Sequence, residues 1–136
     1  MSEHEDVPPH LNALSGSIVD ACWTVWSALG PGLLESAYQL ALEEELRHRG
    51  HEVLAKHPVP FRYRSVQLAR AYEIDLLVDD EVIVELKATE ENHPVYAKQA
   101  ITYLRLTGRR VAIVMNFGHP FFRAGLQRVV NNPRRA

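Results

Sequence analysis

The sequence predicts an α/β or α+β fold in which a small mixed sheet is flanked by helices. The first third of the chain carries apolar residues at helical spacing, and the middle carries short strand-like segments rich in β-branched residues. A third helical pattern and a short, wholly apolar strand follow. This order of elements is typical of helices packed on one sheet. A chain of 136 residues can bury a sizeable core without a disulfide.

We expect one domain at residues 14–130, preceded by a flexible N-terminal segment at 1–13 and followed by a basic tail at 131–136. The N-terminus lacks the basic start and apolar run of a signal peptide. No apolar run approaches the roughly 20 residues that a membrane-spanning helix needs. The single cysteine, Cys22, excludes an internal disulfide and fits a reducing compartment. These features predict a soluble cytoplasmic protein.

Three helices are predicted from the spacing of apolar residues and from the glycines that follow them. The first spans residues 14–29, the second begins at about residue 33 and runs to 48, and the third spans 94–107. Gly50 and Gly108 are expected to end the second and third helices, because glycine readily adopts the left-handed conformation of a helix C-terminus.

The strands follow the second helix. Residues 53–63 are predicted to be an irregular or edge strand, because Pro58 and Pro60 cannot donate to a sheet ladder. Residues 72–78 and 82–87 are predicted to form a hairpin with a tight turn between them.

The end of the chain holds one clear strand and one ambiguous segment. Residues 111–115 are wholly apolar, as expected of a buried strand. Residues 121–130 fit either a helix or a last strand.

The register of the predicted hairpin decides where its charged side chains lie. A two-residue loop would pair Asp75 with Val84 and split the charges between the two faces. A three-residue loop pairs Asp75 with Glu85 and brings Lys87 to the same side. We predict the second register, because a slip of one residue moves every side chain to the other face. The apolar set then expected on the opposite face is Ile74, Leu76, Val84 and Leu86.

In this register two carboxylates face each other beside a lysine. Like charges facing each other destabilise a sheet, and a divalent cation would relieve both carboxylates. Mg²⁺ prefers one or two carboxylates together with water and phosphate oxygens. Metal-assisted phosphodiester hydrolysis needs this set, because the ion activates water and an ammonium group can orient it. The spacing alone leaves one alternative open, a charged cluster on the surface of a hairpin.

Charge is divided unevenly along the chain. Residues 1–92 carry seven Lys or Arg and seventeen Asp or Glu, whereas residues 93–136 carry eight Lys or Arg and no acidic residue. A basic half is expected where phosphates are bound, and an acidic half where a metal ion is held. A solvated basic face is the alternative. The basic side chains expected near the site are Lys98, Arg105, Arg109, Arg110, Arg123 and Arg128.

Four motifs occur in one order along residues 14–130. Residues 32–38 contain the pattern G-x-x-E-x-x-Y, residues 74–88 contain the hairpin described above, residues 99–104 contain Q-x-x-x-Y, and residues 111–118 follow as the closing strand. Together they resemble the GxxExxY proteins of the PD-(D/E)xK nuclease superfamily, and the third motif is similar to an element of RecB-type nucleases. The resemblance implies a restriction-endonuclease-like core.

The resemblance also implies roles for individual residues. Asp75 and Glu85 match the metal-binding carboxylates, and Lys87 matches the catalytic lysine. The Leu86 carbonyl is the expected third metal ligand, and Glu35 matches the glutamate that completes the metal shell. Stabilisation of its own helix terminus is the alternative for Glu35. The element that lies against the site corresponds to Gln99 and Tyr103, and a core position is the alternative for Tyr103.

The implied function is a nuclease that depends on Mg²⁺ or Mn²⁺ and hydrolyses phosphodiester bonds, with DNA as the expected substrate. The alternative is a catalytically weak or inactive nuclease-like domain that binds nucleic acid or a protein partner. A homodimer is one assembly that the sequence allows. Glu73 departs from the basic or small residue expected beside the site, and alternation places it on the side of Asp75.

Overall fold

The computed structural model describes residues 7–131 and shows a five-stranded mixed sheet with strands in the order β1-β2-β3-β4-β5. Strands β3 and β4 are parallel, and the other neighbours are antiparallel. The fold class predicted from the sequence is therefore confirmed. The elements are α1 (Pro9–Leu29), α2 (Glu35–His48), β1 (Val53–Tyr63), β2 (Val66–Val78), β3 (Val82–Lys87), α3 (Val95–Thr107), β4 (Val111–Asn116), α4 (Phe122–Gly125) and β5 (Leu126–Val130).

The sheet separates two apolar cores. The larger core lies between the sheet and helices α1 and α2, where Ile18, Leu42 and Leu46 pack against Leu76 and Val84. The smaller core lies beneath α3 and contains, with others, Ile74, Leu77, Ile83, Ala100 and Leu104. Strands β3 and β4 are buried on both faces, which explains why their sequences are almost uninterrupted apolar runs.

The first two helices begin at positions that differ from the prediction. Helix α1 begins at Pro9, because proline at the first helical position already has the right φ and lacks only an N–H that would have no helical partner. Val7 and Leu11 are buried, so the expectation of a flexible segment fails for residues 7–13. Helix α2 begins at Glu35 instead of about residue 33. Residues 1–6, and all of the predicted basic tail except Asn131, lie outside the described residues.

The prediction for β1 is confirmed, since β1 lies at the sheet edge and its pairing with β2 is irregular between Val59 and Phe61. Strand β2 is longer than predicted and begins at Val66 instead of residue 72. Its first part has little contact with the cores, and its two large apolar residues, Val66 and Leu68, are exposed. The ambiguous segment near the end contains both structures, a short helix α4 followed by strand β5.

The predicted register of the β2–β3 hairpin is confirmed. Leu76 pairs with Val84 and Val78 with Val82 across a three-residue turn, which is the register that places Asp75 opposite Glu85. Leu76, Val84 and Leu86 lie in the larger core as expected, but Ile74 lies in the smaller core with Leu77. Residues three apart point to opposite faces of a regular strand, so β2 is twisted out of regular alternation at Asp75.

Gly118 allows close contact between the end of β4 and the segment that follows β3. A Cβ at Gly118 would lie 2.6 Å from the backbone nitrogen of Thr89, whereas Gly16 inside α1 has open space around it. We expect Gly118→Ala to lower the free energy of unfolding by about 1–3 kcal/mol through overpacking. Gly16→Ala should raise it by about 0.5–1 kcal/mol, because alanine favours a helix interior. Urea unfolding measures both, and a Gly118→Ala variant as stable as the wild type would contradict the prediction.

Candidate active site

Two carboxylates lie where the regular pairing of β2 and β3 ends. The Asp75 backbone N–H donates to Oε1 of Glu85 at 3.2 Å, and the Leu86 N–H donates to Oδ2 of Asp75 at 2.8 Å. Both N–H groups therefore bind side-chain oxygens instead of carbonyls of the opposite strand. The last regular pair is Leu76 with Val84, so the strands separate at the carboxylates. The geometry thus brings Asp75 and Glu85 into one site.

Burial makes this pair electrostatically unfavourable without a counter-charge. Glu85 is only 3% exposed, and its pKa lies well above the usual range of a carboxyl group, first because of burial and second because of the Asp75 charge. The Lys87 charge acts in the opposite direction. The pair is therefore relieved either by a proton on Glu85, which removes its charge, or by a cation that balances both carboxylates.

Asp75 and Glu85 supply two acidic side chains, fewer than a metal site built wholly from side chains needs. Within residues 7–131, no group of three or more His, Cys, Asp or Glu side chains is arranged to hold a metal ion. Two carboxylates with backbone oxygen and water form a donor set that Mg²⁺ accepts. The Leu86 N–H faces β2, and in a strand the carbonyl of the same residue faces the same neighbour. Asp75, Glu85 and the Leu86 carbonyl thus share one side of β3.

Lys87 is held beside the pair by helix α3. Its Nζ donates to Oε1 of Gln99 at 3.0 Å and lies 5.0 Å from the centre of the Tyr96 ring. A cation over an aromatic face is stabilised by the ring quadrupole, so both contacts favour one position of the ammonium group. The backbone also fixes this residue, because the Phe117 N–H donates to the Lys87 carbonyl at 2.8 Å.

Tyr103 connects the same helix to the buried carboxylate. Its ring is 5% exposed and belongs to the smaller core, as the alternative for this residue had allowed. Burial raises the pKa of its hydroxyl, and the Glu85 charge raises it further. The same hydroxyl is hydrogen-bonded to Gln99. Gln99 and Tyr103 are one helical turn apart, so they share the face of α3 that meets the site.

The G-x-x-E-x-x-Y segment places the start of helix α2 next to the pair. Gly32 has a φ of 112°, a conformation that side-chain-bearing residues rarely adopt. The Tyr38 hydroxyl donates to the Gly30 carbonyl and accepts from the Leu33 N–H at 3.1 Å, so it ties the segment before the helix to the helix itself. Glu35 then occupies the first helical position.

Glu35 lies within the electrostatic field of the site. Its pKa is raised by burial first and by the Asp75 charge second, while the Lys87 charge lowers it. It nevertheless remains an exposed residue and does not join Asp75 and Glu85 as a third acidic side chain placed to share an ion. Its place in a metal shell therefore stays a prediction.

Two residues that the sequence patterns did not mark, Gln39 and Tyr96, contact the site, and a third, Asn116, organises the loops beside it. Gln39 is buried one helical turn after Glu35 and donates to the Asp75 carbonyl at 3.5 Å. Tyr96 contacts Lys87, and the buried Asn116 accepts hydrogen bonds from the N–H groups of Thr89 and Gly118. The one-turn spacing on each helix could have identified Gln39 and Tyr96. The polar end of an otherwise apolar strand could have identified Asn116.

Glu73 is exposed and pairs with Pro58. The prediction that Glu73 lies on the same side as Asp75 assumed regular alternation along β2. The position of Ile74 shows that this alternation is interrupted here. The position of Ile74 in the smaller core therefore removes the support for placing Glu73 beside the carboxylate pair.

The raised pKa of Glu85 predicts how stability depends on pH in the absence of metal ions. A carboxyl group with a raised folded-state pKa favours the folded state most when protonated, below its ordinary pKa of 4.5. That contribution is lost as the pH rises towards the higher folded-state pKa, by about 1.4 kcal/mol for each pH unit between the two pKa values. We therefore expect Glu85→Gln, which imitates the protonated form, to be more stable than the wild type in EDTA at pH 8, with the difference shrinking towards pH 4.

Glu44→Gln is the matched control, because it removes one charge from an exposed position on α2. It should follow the wild type at every pH. Chemical unfolding at a series of pH values measures the effect, and parallel curves for wild type and Glu85→Gln would contradict it.

One of three comparisons with known proteins found a match, which is to a family model. A search of curated proteins and a search of solved structures each found no match. No helix within residues 7–131 is both long enough and apolar enough to cross a membrane. The family model for the PD-(D/E)XK nuclease superfamily matches residues 12–129, a segment that contains every site residue described above. The enzymes of this superfamily generally use divalent metal ions. Because the match covers most of the chain, this protein belongs to the PD-(D/E)XK nuclease superfamily.

Proposed function

We propose that this protein is a nuclease that hydrolyses phosphodiester bonds with the help of a divalent cation, Mg²⁺ or Mn²⁺, and that DNA is its substrate. The observation that carries the proposal is the carboxylate pair, in which Glu85 is buried and Asp75 half-buried, beside a lysine held in place by Gln99. A charged cluster on a hairpin surface would leave its carboxylates in water, whereas Glu85 is almost fully buried. We also propose that the protein belongs to the GxxExxY subfamily, because residues 32–38 carry the pattern of that name, including Glu35 and Tyr38.

The proposed ion would bind Asp75 and Glu85, with the Leu86 carbonyl and Glu35 as further ligands. When bound, it would supply an activated water and neutralise charge that develops on the phosphate. The carboxylates are suited to this role because each has one oxygen engaged by a backbone N–H, which fixes its orientation. Gln39 supports the same position by its contact with the Asp75 carbonyl.

Lys87 would act on the phosphate and on the attacking water. Hydrolysis forms a bond between the water oxygen and phosphorus, breaks the bond to the leaving oxygen, and transfers a proton to that oxygen. An ammonium group held beside these atoms stabilises the charge that appears as the bond forms. Gln99 and Tyr96 hold Lys87 from α3, so they are positioning residues, and Tyr103 would support Gln99.

Loss of Asp75 should remove both the ion and the activity. We expect Asp75→Asn to abolish cleavage in Mn²⁺ and to remove the rise in melting temperature that Mn²⁺ gives the wild type. An ion present at about 100 times its Kd should raise the wild-type free energy of unfolding by about 2.7 kcal/mol. Glu73→Gln is the matched control, since it neutralises an exposed carboxylate two residues away, and it should keep both properties. An Asp75→Asn variant that Mn²⁺ stabilises as strongly as the wild type would argue against the ion site.

Loss of Lys87 should slow the chemistry but leave ion binding in place. We expect Lys87→Ala to keep the Mn²⁺-dependent rise in melting temperature and to cleave about 100 to 10,000 times more slowly at saturating Mn²⁺. Lys98→Ala, which removes an exposed lysine from the same helix, should weaken substrate binding at most and keep the wild-type rate at saturating substrate.

The substrates for both experiments are labelled single- and double-stranded DNA and RNA, each incubated with Mn²⁺, Mg²⁺ or EDTA. Equal rates for the wild type and Lys87→Ala would remove Lys87 from the mechanism. No cleavage of any substrate by the wild type would favour a nuclease-like domain that only binds.

A further inference from the structure

Strands β1 and β2 continue beyond the body of the domain as a two-stranded ribbon. The outer hairpin, residues 60–71, follows the buried Val59, and its pairs run from Phe61 with Leu68 to Tyr63 with Val66. Most of its side chains are exposed. Four residues of strand beyond Val59 extend about 13 Å, so the ribbon projects well beyond the sheet.

The outer hairpin carries only positive charge. Arg62, Arg64 and Arg70 are exposed, and no Asp or Glu occurs between Glu52 and Glu73. This distribution was hidden in the sequence, because the first 92 residues are acidic as a whole. A basic ribbon in an otherwise acidic part of the chain is the pattern expected of a phosphate-binding element.

One face of the outer hairpin is apolar and exposed. Residues paired across strands share a face, so Tyr63 lies beside Val66, and Leu68 lies on the same side. Their exposed fractions are 61%, 53% and 57%, and none of the three belongs to either apolar core. Contiguous exposed apolar side chains on a folded protein mark a binding surface.

The turn of the outer hairpin places an arginine where small residues are usual. Arg64 has a φ of 52° in the two-residue turn between Tyr63 and Val66, a position that glycine or asparagine occupies at lower energetic cost. The Arg64 guanidinium lies 5.6 Å from the centre of the Tyr63 ring. An arginine next to an aromatic ring is the combination that nucleic-acid-binding surfaces use for phosphates and bases.

The base of the outer hairpin meets the candidate active site. Tyr72 packs against Tyr103 with ring centres 5.8 Å apart, and three residues later β2 reaches Asp75. Arg70 lies five residues before Asp75, which is at most about 16 Å along an extended strand. That distance corresponds to roughly five nucleotide steps at 3.4 Å each. The ribbon can therefore contact the same nucleic acid that enters the site.

We propose that the outer hairpin is a nucleic-acid-binding ribbon, in which Arg62, Arg64 and Arg70 bind phosphates on one side of the cleavage site. This inference rests on the proposed function, since it takes nucleic acid as the substrate of the site. A two-stranded ribbon fits the major groove of B-DNA, which is about 12 Å wide. A second copy of the chain is a less suitable occupant, because pairing the ribbon with itself would place arginines of like charge close together.

The test measures binding without cleavage. Fluorescence anisotropy of labelled duplex and single-stranded DNA and RNA is recorded in EDTA over a range of KCl concentrations. Two variants are compared with the wild type. One combines Arg62→Ala, Arg64→Ala and Arg70→Ala, and the other changes the same three arginines to lysine. We expect the alanine variant to bind at least about tenfold more weakly at 0.1 M KCl. Its affinity should also fall less steeply with salt concentration, as expected for the loss of up to about three phosphate contacts. The lysine variant should stay within a few-fold of the wild type, because it keeps the charge.

The matched control removes three charges from outside the ribbon. Lys98, Arg105 and Arg123 are exposed, whereas Arg109 is paired with Asp80, and Arg110 and Arg128 contact Asn131 and Asn12. The triple alanine variant of Lys98, Arg105 and Arg123 should lose less affinity than the ribbon variant. An equal loss would show an effect of net charge alone and overturn the inference.

The remaining outcomes separate the ribbon from the chemistry. Wild-type protein that cuts no substrate but binds nucleic acid through the three arginines would refute the proposed cleavage and support the ribbon. Active enzyme whose affinity is unchanged by the alanine substitutions would overturn the ribbon alone. Sedimentation velocity tests whether a second copy of the chain, instead of nucleic acid, binds the outer hairpin. A dimer that Leu68→Glu disrupts, with nucleic-acid affinity unaffected by the arginine changes, would assign the surface to a second copy and overturn the inference.

Discussion

The structure depends on a pair of carboxylates placed between two strands where a sheet would ordinarily continue its ladder. Asp75 and Glu85 accept hydrogen bonds from backbone N–H groups of the hairpin, and the strands separate there. The arrangement satisfies the N–H groups but leaves two acidic groups close together at low exposure, which raises the pKa of Glu85. A protein gains no stability from such a pair unless something positive joins it. The backbone geometry of the hairpin therefore creates a position that either a proton or a cation would stabilise.

The gap between the strands also explains how both sides of the sheet reach one site. Helix α2 packs in the larger core and α3 in the smaller core, so a continuous sheet would keep their polar side chains apart. At the gap, Gln39 of α2 contacts the Asp75 carbonyl, and Gln99 of α3 holds Lys87. Glu35 interacts electrostatically with both Asp75 and Lys87. The site is thus assembled from side chains of two layers that lie on opposite faces of the sheet.

Within the described part of the chain, the positive charges near the site do not come only from the basic half of the sequence. The basic half predicted from the sequence is partly used to hold the fold together, as in the ion pair between Arg109 and Asp80 in the β2–β3 turn. The outer hairpin supplies positive charge from the acidic half of the chain instead. Positive charge beside the carboxylate pair therefore comes from Lys87 and, further along β2, from the arginines of the ribbon. Charge summed over halves of a sequence cannot show this, because neighbours in space come from both halves.

The sequence by itself determined the fold class, the β2–β3 register and the residues of the carboxylate pair. It did so because alternation has a period of two, so only one register gathers Asp75, Glu85 and Lys87 while burying the apolar set. It also determined the edge position of β1, since proline cannot donate to a ladder. Only the tertiary structure decided the position of Ile74, the start of α1 at Pro9, and the extension of β2 to Val66. These features depend on local twist, on burial of Val7 and Leu11, and on pairing between strands with few core contacts. Such contacts join residues far apart in the chain, and periodicity within one segment does not record them.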